Sequence, residues 1–544
     1  MAGGLFNLIS VGNANVILTG NPTKTFFKVA YSKYTNFGMQ KFRLDYEGSR
    51  DLRLTDDSIF TFKIKRYADL LMDCYLVVNL PDIWSPVYFP CTETNNEWVG
   101  YEFKWIQNIG FQMIRSVEIN CGSVCLQKYT GEYLMAMVER DFNDTKKDLI
   151  DKMTGNIMEL YDPALVYNRL NRYPNAYYTT NVQGAEPSIR GRALYIPLNT
   201  WFSLDSRCAF PLIALQYNEL SITVTLRPIQ ELFQVRDIFD YDNGYPYIQP
   251  DFTAEQFQMY RFLQTPPSVN IDSIDYTNKS KTWNTDVHMI CNYCFLSDEE
   301  SRKFAMEDQA YLVKDVNQYF FENVTGNNRV KLMNTSSMVS NWMFYLQRND
   351  VNLRNEWSNY TNWAYQKLPD NIVLPTKDGS MTPYLNPNGK RTNIYVTGDY
   401  SQNNKKEILI SLGILLEGEY RENILERGVY DYIEKYVRTA GSATEGLYCY
   451  NFCLNTDPFT YQPSGAINMS KFKNIEFEVS TYIPPFDINN NGFQVTCDDN
   501  GNPTSIQVKS RYQLFKYNFN MVIFEERYNV LSFIGGNCSM MYAR

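Results

Sequence analysis

The chain has 544 residues, 44% of them apolar and 15% aromatic, with 42 Tyr and 33 Phe. At about 100–200 residues per domain this allows two to four units, and the composition favours strands over helical bundles. The net charge is -9, with no run of five Lys/Arg, which argues against gripping nucleic acid through a basic face.

From the N-terminus, Ala2 to Thr23 carries no charge and is rich in Gly and Asn. It lacks the basic start and compact apolar stretch of a signal peptide, so an extended arm over 1–25 and folding in the cytosol are expected. Phe60–Lys65 alternates apolar and polar residues, as does Val117–Asn120. Between them lies an irregular stretch, 81–104, with Pro81, Pro86 and Pro90. The spacing predicts a helix over Asp144–Met153, capped by Asn143 and stopped by Gly155. Residues 170–192 are irregular, and Leu220–Leu226 alternates without a break.

Pro246, Pro250, Pro266 and Pro267 mark 236–270 as a linker. Asp298–Val316, opening on three acids, is expected to be helical. An irregular stretch, 366–404, holds Pro369, Pro375, Pro383 and Pro387. A further helix is expected over Arg421–Thr439 from Ile424, Leu425, Tyr432, Ile433 and Tyr436. Ile475–Val479 and Tyr517–Met521 alternate again. Period-two alternation needs a facing sheet, so the reading is all-β with sandwiches in both halves. The closing strands Leu220–Arg227 and Tyr517–Arg527 give the halves a shared layout, in keeping with duplication. No stretch of 18 apolar residues suggests a helical membrane span.

Candidate chemistry is sparse. There are 11 Cys, with close pairs Cys121/Cys125, Cys291/Cys294 and Cys449/Cys453, but His288 is the only histidine. Reduced, buried thiols are therefore expected, not a zinc site. His288 sits in an alternating context and reads as a strand residue. No GxSxG, HExxH or P-loop motif occurs. Glu299/Glu300 and Glu417/Glu419 could form a glycosidase pair only at a suitable separation; solvated charge is the expectation. Trp357, Tyr360 and Trp363 could form a sugar platform, but burial at a contact is expected. Sequons occur at Asn143, Asn278, Asn323, Asn334, Asn359, Asn468 and Asn537, most of them expected to be chance. No catalytic, cofactor or metal residue is expected, and the chain is read as not an enzyme.

Several separated segments resemble a known family. Leu18-Thr19-Gly20-Asn21-Pro22, Thr25-Phe26-Phe27-Lys28-Val29 and Tyr34-Thr35-Asn36-Phe37 are similar to the N-terminal signature of major capsid proteins of nucleocytoplasmic large DNA viruses. So are Ile114–Ile119 followed by Tyr129-Thr130-Gly131-Glu132, and Pro211–Glu219 leading to Arg227-Pro228-Ile229. Asp298–Ala305 and Gln462-Pro463-Ser464-Gly465 match in the second half, the latter as a turn. Asn349–Trp363 resembles mimivirus-like members in particular.

The resemblance implies two consecutive eight-stranded antiparallel jelly rolls with long loop insertions and a few short helices. The expected division is an arm over 1–25, a first roll over 26–235, a linker over 236–270 and a second roll over 271–544. It implies a homotrimer of pseudo-hexagonal outline tiling a large icosahedral shell. Expected partners are further copies, minor capsid and penton proteins, and an inner membrane reached through minor proteins. Glycans on outer loops are a further expectation, and direct nucleic-acid contact is not. The expected location is the virion, after synthesis in host cytoplasm. The competing readings are a transient scaffold of the same fold and a lectin-like attachment protein.

Overall fold

In the computed structural model, residues 3–48, 51–88, 98–169, 171–177, 185–240, 245–267, 276–333, 335, 337–366, 405–484, 493–497, 503–508 and 517–542 are described. The 366–404 stretch therefore falls almost wholly outside them, as do Asn334 and Cys91.

Eight strands build a first sandwich: β1 (Phe37–Leu44), β2 (Ser58–Lys63), β3 (Leu70–Leu80), β4 (Ile114–Cys121), β5 (Val124–Tyr129), β6 (Phe210–Pro211), β7 (Leu220–Leu226) and β8 (His288–Leu296). Eight more build a second: β9 (Gln309–Phe321), β10 (Asn327–Leu332), β11 (Met338–Arg348), β12 (Leu409–Leu416), β13 (Glu419–Glu426), β14 (Leu447–Asn451), β15 (Ile475–Thr481) and β16 (Phe519–Ile534). In the first, the sheets run β1-β8-β3-β6 and β2-β7-β4-β5. In the second they run β9-β16-β11-β14 and β10-β15-β12-β13. Subtracting eight from the second set reproduces the first, so the two halves share one topology. Short strands add to the sheets: Arg192–Pro197 on β3, Ile467–Asn468 on β11 and Asn537–Met540 on β16.

Alternation and burial agree where one face meets the core. In β7, Leu220, Ile222, Val224 and Leu226 are buried while Ser221, Thr223 and Thr225 are half-buried. β15 shows the same pattern. β11 and β16 differ because both of their faces are covered. Trp342, Phe344 and Leu346, with Phe519, Met521 and Ile523, enter the second roll's own core. Met343, Tyr345, Val522 and Phe524 point the other way, into a core continuous with the first roll.

Segment 236–270, expected to be a linker, is packed into the first core through Ile238, Tyr247, Ile248, Phe257, Met259 and Phe262. The first roll's last strand, β8, comes after it and pairs with β1 and β3. Residues 288–296, assigned from sequence to the second roll, thus complete a sheet of the first.

The helix expected at Asp144 is present as α2 (Asp144–Thr154), with the Asn143 side chain accepting from Lys146 N and Gly155 left-handed at its end. The Asp298 helix, α3 (Asp298–Met306), is shorter than expected, because β9 takes over at Gln309 and pairs with β16 along thirteen residues. Arg421–Thr439 is helical only in part. Glu417 and Gly418 both have positive φ, 53° and 85°, which suits a tight two-residue hairpin turn. The turn folds Glu419–Glu426 back on β12 as an exposed edge strand. A helix follows only from Val429. The arm over 1–25, expected to be extended, carries two short helices, Leu5–Ile9 and Val16–Thr19, and among the longer helices one was not anticipated: α1 (Gly131–Asp141), where Tyr133 through Val138 are all buried. A helix covered on most sides has no polar stripe to reveal it.

Candidate functional site

Three of the sequence motifs, Tyr129–Glu132, Arg227–Ile229 and Asn349–Trp363, converge on the joint between the two rolls. In Tyr129-Thr130-Gly131-Glu132 each residue has a separate task. The Tyr129 hydroxyl donates to the Leu198 carbonyl at 2.8 Å. Thr130 caps α1 by accepting from Tyr133 N. Gly131 lies so close to the Phe111 carbonyl that a Cβ would overlap it. Glu132 accepts from Arg227 of the first roll and from the Tyr345 hydroxyl of β11, each at 2.9 Å.

Arg227, from the other motif, is 6% exposed. It also pairs with Glu231 at 2.9 Å and lies 4.4 Å from the ring centre of Trp357. Asn349–Trp363 leaves β11 and docks back on the first roll. Asn355 donates to the Gln230 and Phe233 carbonyls at 2.7 Å, and Trp357 Nε1 donates to the Glu231 carbonyl at 3.0 Å. Tyr360 is buried with its ring 4.3 Å from that of Tyr345. Of the three aromatics considered for sugar binding, Tyr360 is thus buried, and Trp357 and Trp363 are half-buried.

Deeper in the joint, Arg140 of α1 is 1% exposed. It donates to Asp141 at 2.6 Å, to Glu526 of β16 at 2.9 Å and to Asn341 of β11 at 2.7 Å. Tyr133 donates to Glu526 at 2.9 Å, and Thr456 donates to Asp141 at 2.6 Å. Burial pushes the Glu526 carboxyl up, but Arg140, Lys314 and the Asn341 and Tyr133 donors outweigh it and hold it below its usual value. Burial wins at Asp141, which is raised despite Arg140. Asp350, at the root of the docking segment, is buried yet held well below the carboxylate range by Arg354 and Arg348. Such pairs gain little over an apolar filling, but breaking one leaves a bare buried charge.

The other singled-out residues are scattered. His288 lies in β8 with Nδ1 2.7 Å from the Asp286 carbonyl. Glu299 opens α3 on the surface, while Glu417 accepts backbone N–H bonds from Lys473 and Asn474 beside the β12–β13 turn. Gln462–Gly465, expected to be a turn, is irregular backbone with a bend at Gln462; Gly465 has φ 140°, and Ser464 accepts from Asn455 N. The described cysteines are unbridged. Asn359 is 1% exposed, so no glycan fits there; Asn143, Asn278, Asn323, Asn468 and Asn537 are exposed. Among the described residues, no three His, Cys, Asp or Glu converge as metal ligands, and no helix is long and apolar enough to cross a membrane. Sequence reasoning missed Arg140 and Glu526. Their only signal was charge inside otherwise apolar segments.

Exposed apolar side chains gather in two places. One is the arm and the stretch that leads from it to β1, where Leu18, Phe27 and Val29 are 89%, 98% and 87% exposed. The other lies on β13 and the helical segment after it, with Ile424, Tyr432, Ile433, Tyr436 and Val437 exposed.

Comparison with known proteins places this architecture. The family model described as major capsid protein N-terminus matches residues 25–297. That described as large eukaryotic DNA virus major capsid protein matches 300–538. The major capsid protein of Paramecium bursaria Chlorella virus 1 is 23% identical over 549 residues, covering 100% of both chains. That of Phaeocystis pouchetii virus is 23% identical, covering 88% of this chain and 93% of the relative. Capsid protein 1 of Acanthamoeba polyphaga mimivirus is 27% identical over 58% of this chain, and the match spans 44% of that longer relative. Among solved structures, the Faustovirus major capsid protein aligns with a TM-score of 0.61 at 11% identity, over 97% of this chain and 96% of that one. The PBCV-1 virus capsid aligns at 0.58 and 18% identity, over 96% and 100%. The expected pair of jelly rolls is the fold observed, and the chain belongs to the major capsid proteins of large eukaryotic DNA viruses.

Proposed function

We propose that three copies of this chain associate into a pseudo-hexagonal capsomer, and that many capsomers tile an icosahedral shell. The carrying observation is that two rolls of one topology are locked side by side within one chain by a buried joint. A hexagonal tile needs six similar sides; three chains with two such rolls supply six, and three-fold closure stops growth at the capsomer. Jelly rolls suit the task because a double sheet leaves few open edges. The uncovered apolar side chains of the arm and of the segment after β13 support contacts with further copies. Division of the chain near 297–300, between β8 and β9, is part of the same reading.

Minor capsid and penton proteins, and through them an inner membrane, are the further partners proposed. Synthesis in host cytoplasm, a structural role without catalysis and glycans on exposed loops complete the reading. The transient scaffold remains the second reading, since it uses the same fold. The measurement is the mass of the purified protein in solution with a protein census of purified particles. Three times the chain mass and the dominant protein of the particle are expected. A stable monomer sinks the capsomer, and absence from finished particles favours the scaffold.

A further inference from the structure

Because the second roll repeats the topology of the first, each part of the internal joint has a counterpart elsewhere in the chain. In the first roll α1 follows directly on β5; in the second, α4 (Val429–Ile433 and Glu434–Arg438) follows directly on β13. Gly131-Glu132-Tyr133 and Gly428-Val429-Tyr430 hold the same place, and both tyrosines are buried. α1 is covered by the sheet β9-β16-β11-β14. The Tyr133 ring lies 5.7 Å from that of Phe524, and Arg140 bonds Glu526 and Asn341. Beside it, β5 meets the edge strand β9, with Gln127 Nε2 donating to the Lys314 carbonyl at 3.1 Å. α4 is open instead. Tyr432, Ile433, Tyr436 and Val437 are exposed, Tyr436 at 90%, and their spacing puts them on one face. The sheet that corresponds to the covering one, β1-β8-β3-β6, is open too. Arg43, Ile290 and Tyr75 pair across β1, β8 and β3 and so face one way, as do Lys41, Asn292 and Asp73. Met289, Cys291 and Tyr293 point the other way, into the first core. On the outward face Ile290 and Tyr75 are half-buried, and Met39 of β1 is exposed.

We propose that α4 docks on the outward face of the β1-β8-β3-β6 sheet of a second copy of this chain, repeating between chains the contact that α1 makes within one. The inference rests on the capsomer reading and names the surfaces that join its copies. Inside one chain the first roll hands its helix to the second. The second roll's helix and the first roll's sheet are then left over, one donor and one acceptor per chain. A head-to-tail contact between them continues the same step from chain to chain, and after three chains it closes with every helix and every receiving sheet in use.

Charge favours the same occupant. As β5 meets β9 within a chain, β13 meets β1 between chains. β13 and its turn carry Glu417, Glu419, Glu422 and Glu426 against a single base, Arg421. β1 carries Lys41 and Arg43, and residues 1–44 contain no acid. Opposite charge on the two strands steers the faces together and sets their register, while like charge opposes β13 meeting β13. The apolar part is of the right kind as well, since aromatic side chains such as Tyr432 and Tyr436 carry much of the binding at protein interfaces. The patch also continues the joint already formed. Just beyond α4, Gly441 N and Ala443 N donate to the Arg140 and Glu139 carbonyls of α1, each at 2.8 Å.

The test compares the solution mass of the full-length protein with that of Tyr436→Asp and of Tyr167→Asp, the latter an exposed tyrosine in the insert between β5 and β6. Expected are three chain masses for the wild type and for Tyr167→Asp, and one chain mass for Tyr436→Asp with an unchanged circular dichroism spectrum. A wild type of one chain mass removes the capsomer reading itself. A three-chain wild type whose Tyr436→Asp form also keeps three chains overturns the docking of α4 alone, and so does equal dissociation of both variants. Carbodiimide cross-linking of the wild type decides even if Tyr436→Asp folds poorly. In the three-chain species it should join Lys41 to a glutamate of β13 in bands of two and three chains, and links that bypass β1 and β13 overturn the proposal.

Discussion

At the scale of single residues, Arg140 holds two acids, Asp141 and Glu526, in a site closed to water. Replacing it by Met is expected to cost about 3–5 kcal/mol, because both carboxylates lose their cation while staying buried. Arg43, half-exposed with Asp45 and Asp286, is the control; Arg43→Ala should cost at most about 1 kcal/mol. Urea unfolding of the two variants checks this, and equal losses would contradict the picture of the joint. Gly131→Ala should destabilise the fold or abolish soluble expression, since the Phe111 carbonyl occupies the Cβ position. Gly38→Ala, with nothing within 4 Å, should be silent. Glu132 and Arg227 were visible in the sequence only as letters of motifs. What they do depends on Tyr345 and Trp357, which are distant along the chain.

At the scale of elements, strands with one wet face were legible, while of the strands with two dry faces β16 was legible only from its alternating start at Tyr517–Met521 and β11 was not. β7 and β15 alternate because one side meets a core and the other is more open. β11 and β16 show a broken pattern because a second core lies behind them. The same cause hid α1. Arg421–Thr439 misled for the opposite reason: β13 is an exposed edge strand whose charged residues carry no period, so the apolar residues after it suggested one long helix. The linker misled because proline and turn residues mark irregular backbone, not exposure; those residues are packed in the first core. The burial pattern gives a test within β7. Ile222→Ala removes a fully buried side chain and should cost about 2–5 kcal/mol. Thr223→Ala, on the other face, should change stability by about 0.5 kcal/mol or less. Comparable losses at both positions would mean that the second face is covered too.

At the scale of the whole molecule, buried carboxylates set the response to acid. Burial raises Asp141, Glu356 and Glu525 above their usual values. A raised carboxyl binds its proton more tightly when folded. Its contribution is therefore fully present below the unfolded value and is lost as pH rises through the folded one. Glu526 and Asp350 are held low and keep their charge until pH falls through their depressed values. Lowering pH from 7 towards about 5 should therefore leave the unfolding temperature level or raise it, with loss only near or below about pH 4. A steady fall from pH 7 to 5 in a thermal scan would contradict this assignment.

The proposed capsomer has a defined shape: two rolls of one topology side by side in each chain, three chains to a block. Single-particle imaging of the purified oligomer tests it most directly. The prediction is a ring of six lobes, alternating between two similar kinds, with the same spacing within a chain in every particle. Three lobes, or a variable angle between the two rolls of one chain, would contradict it.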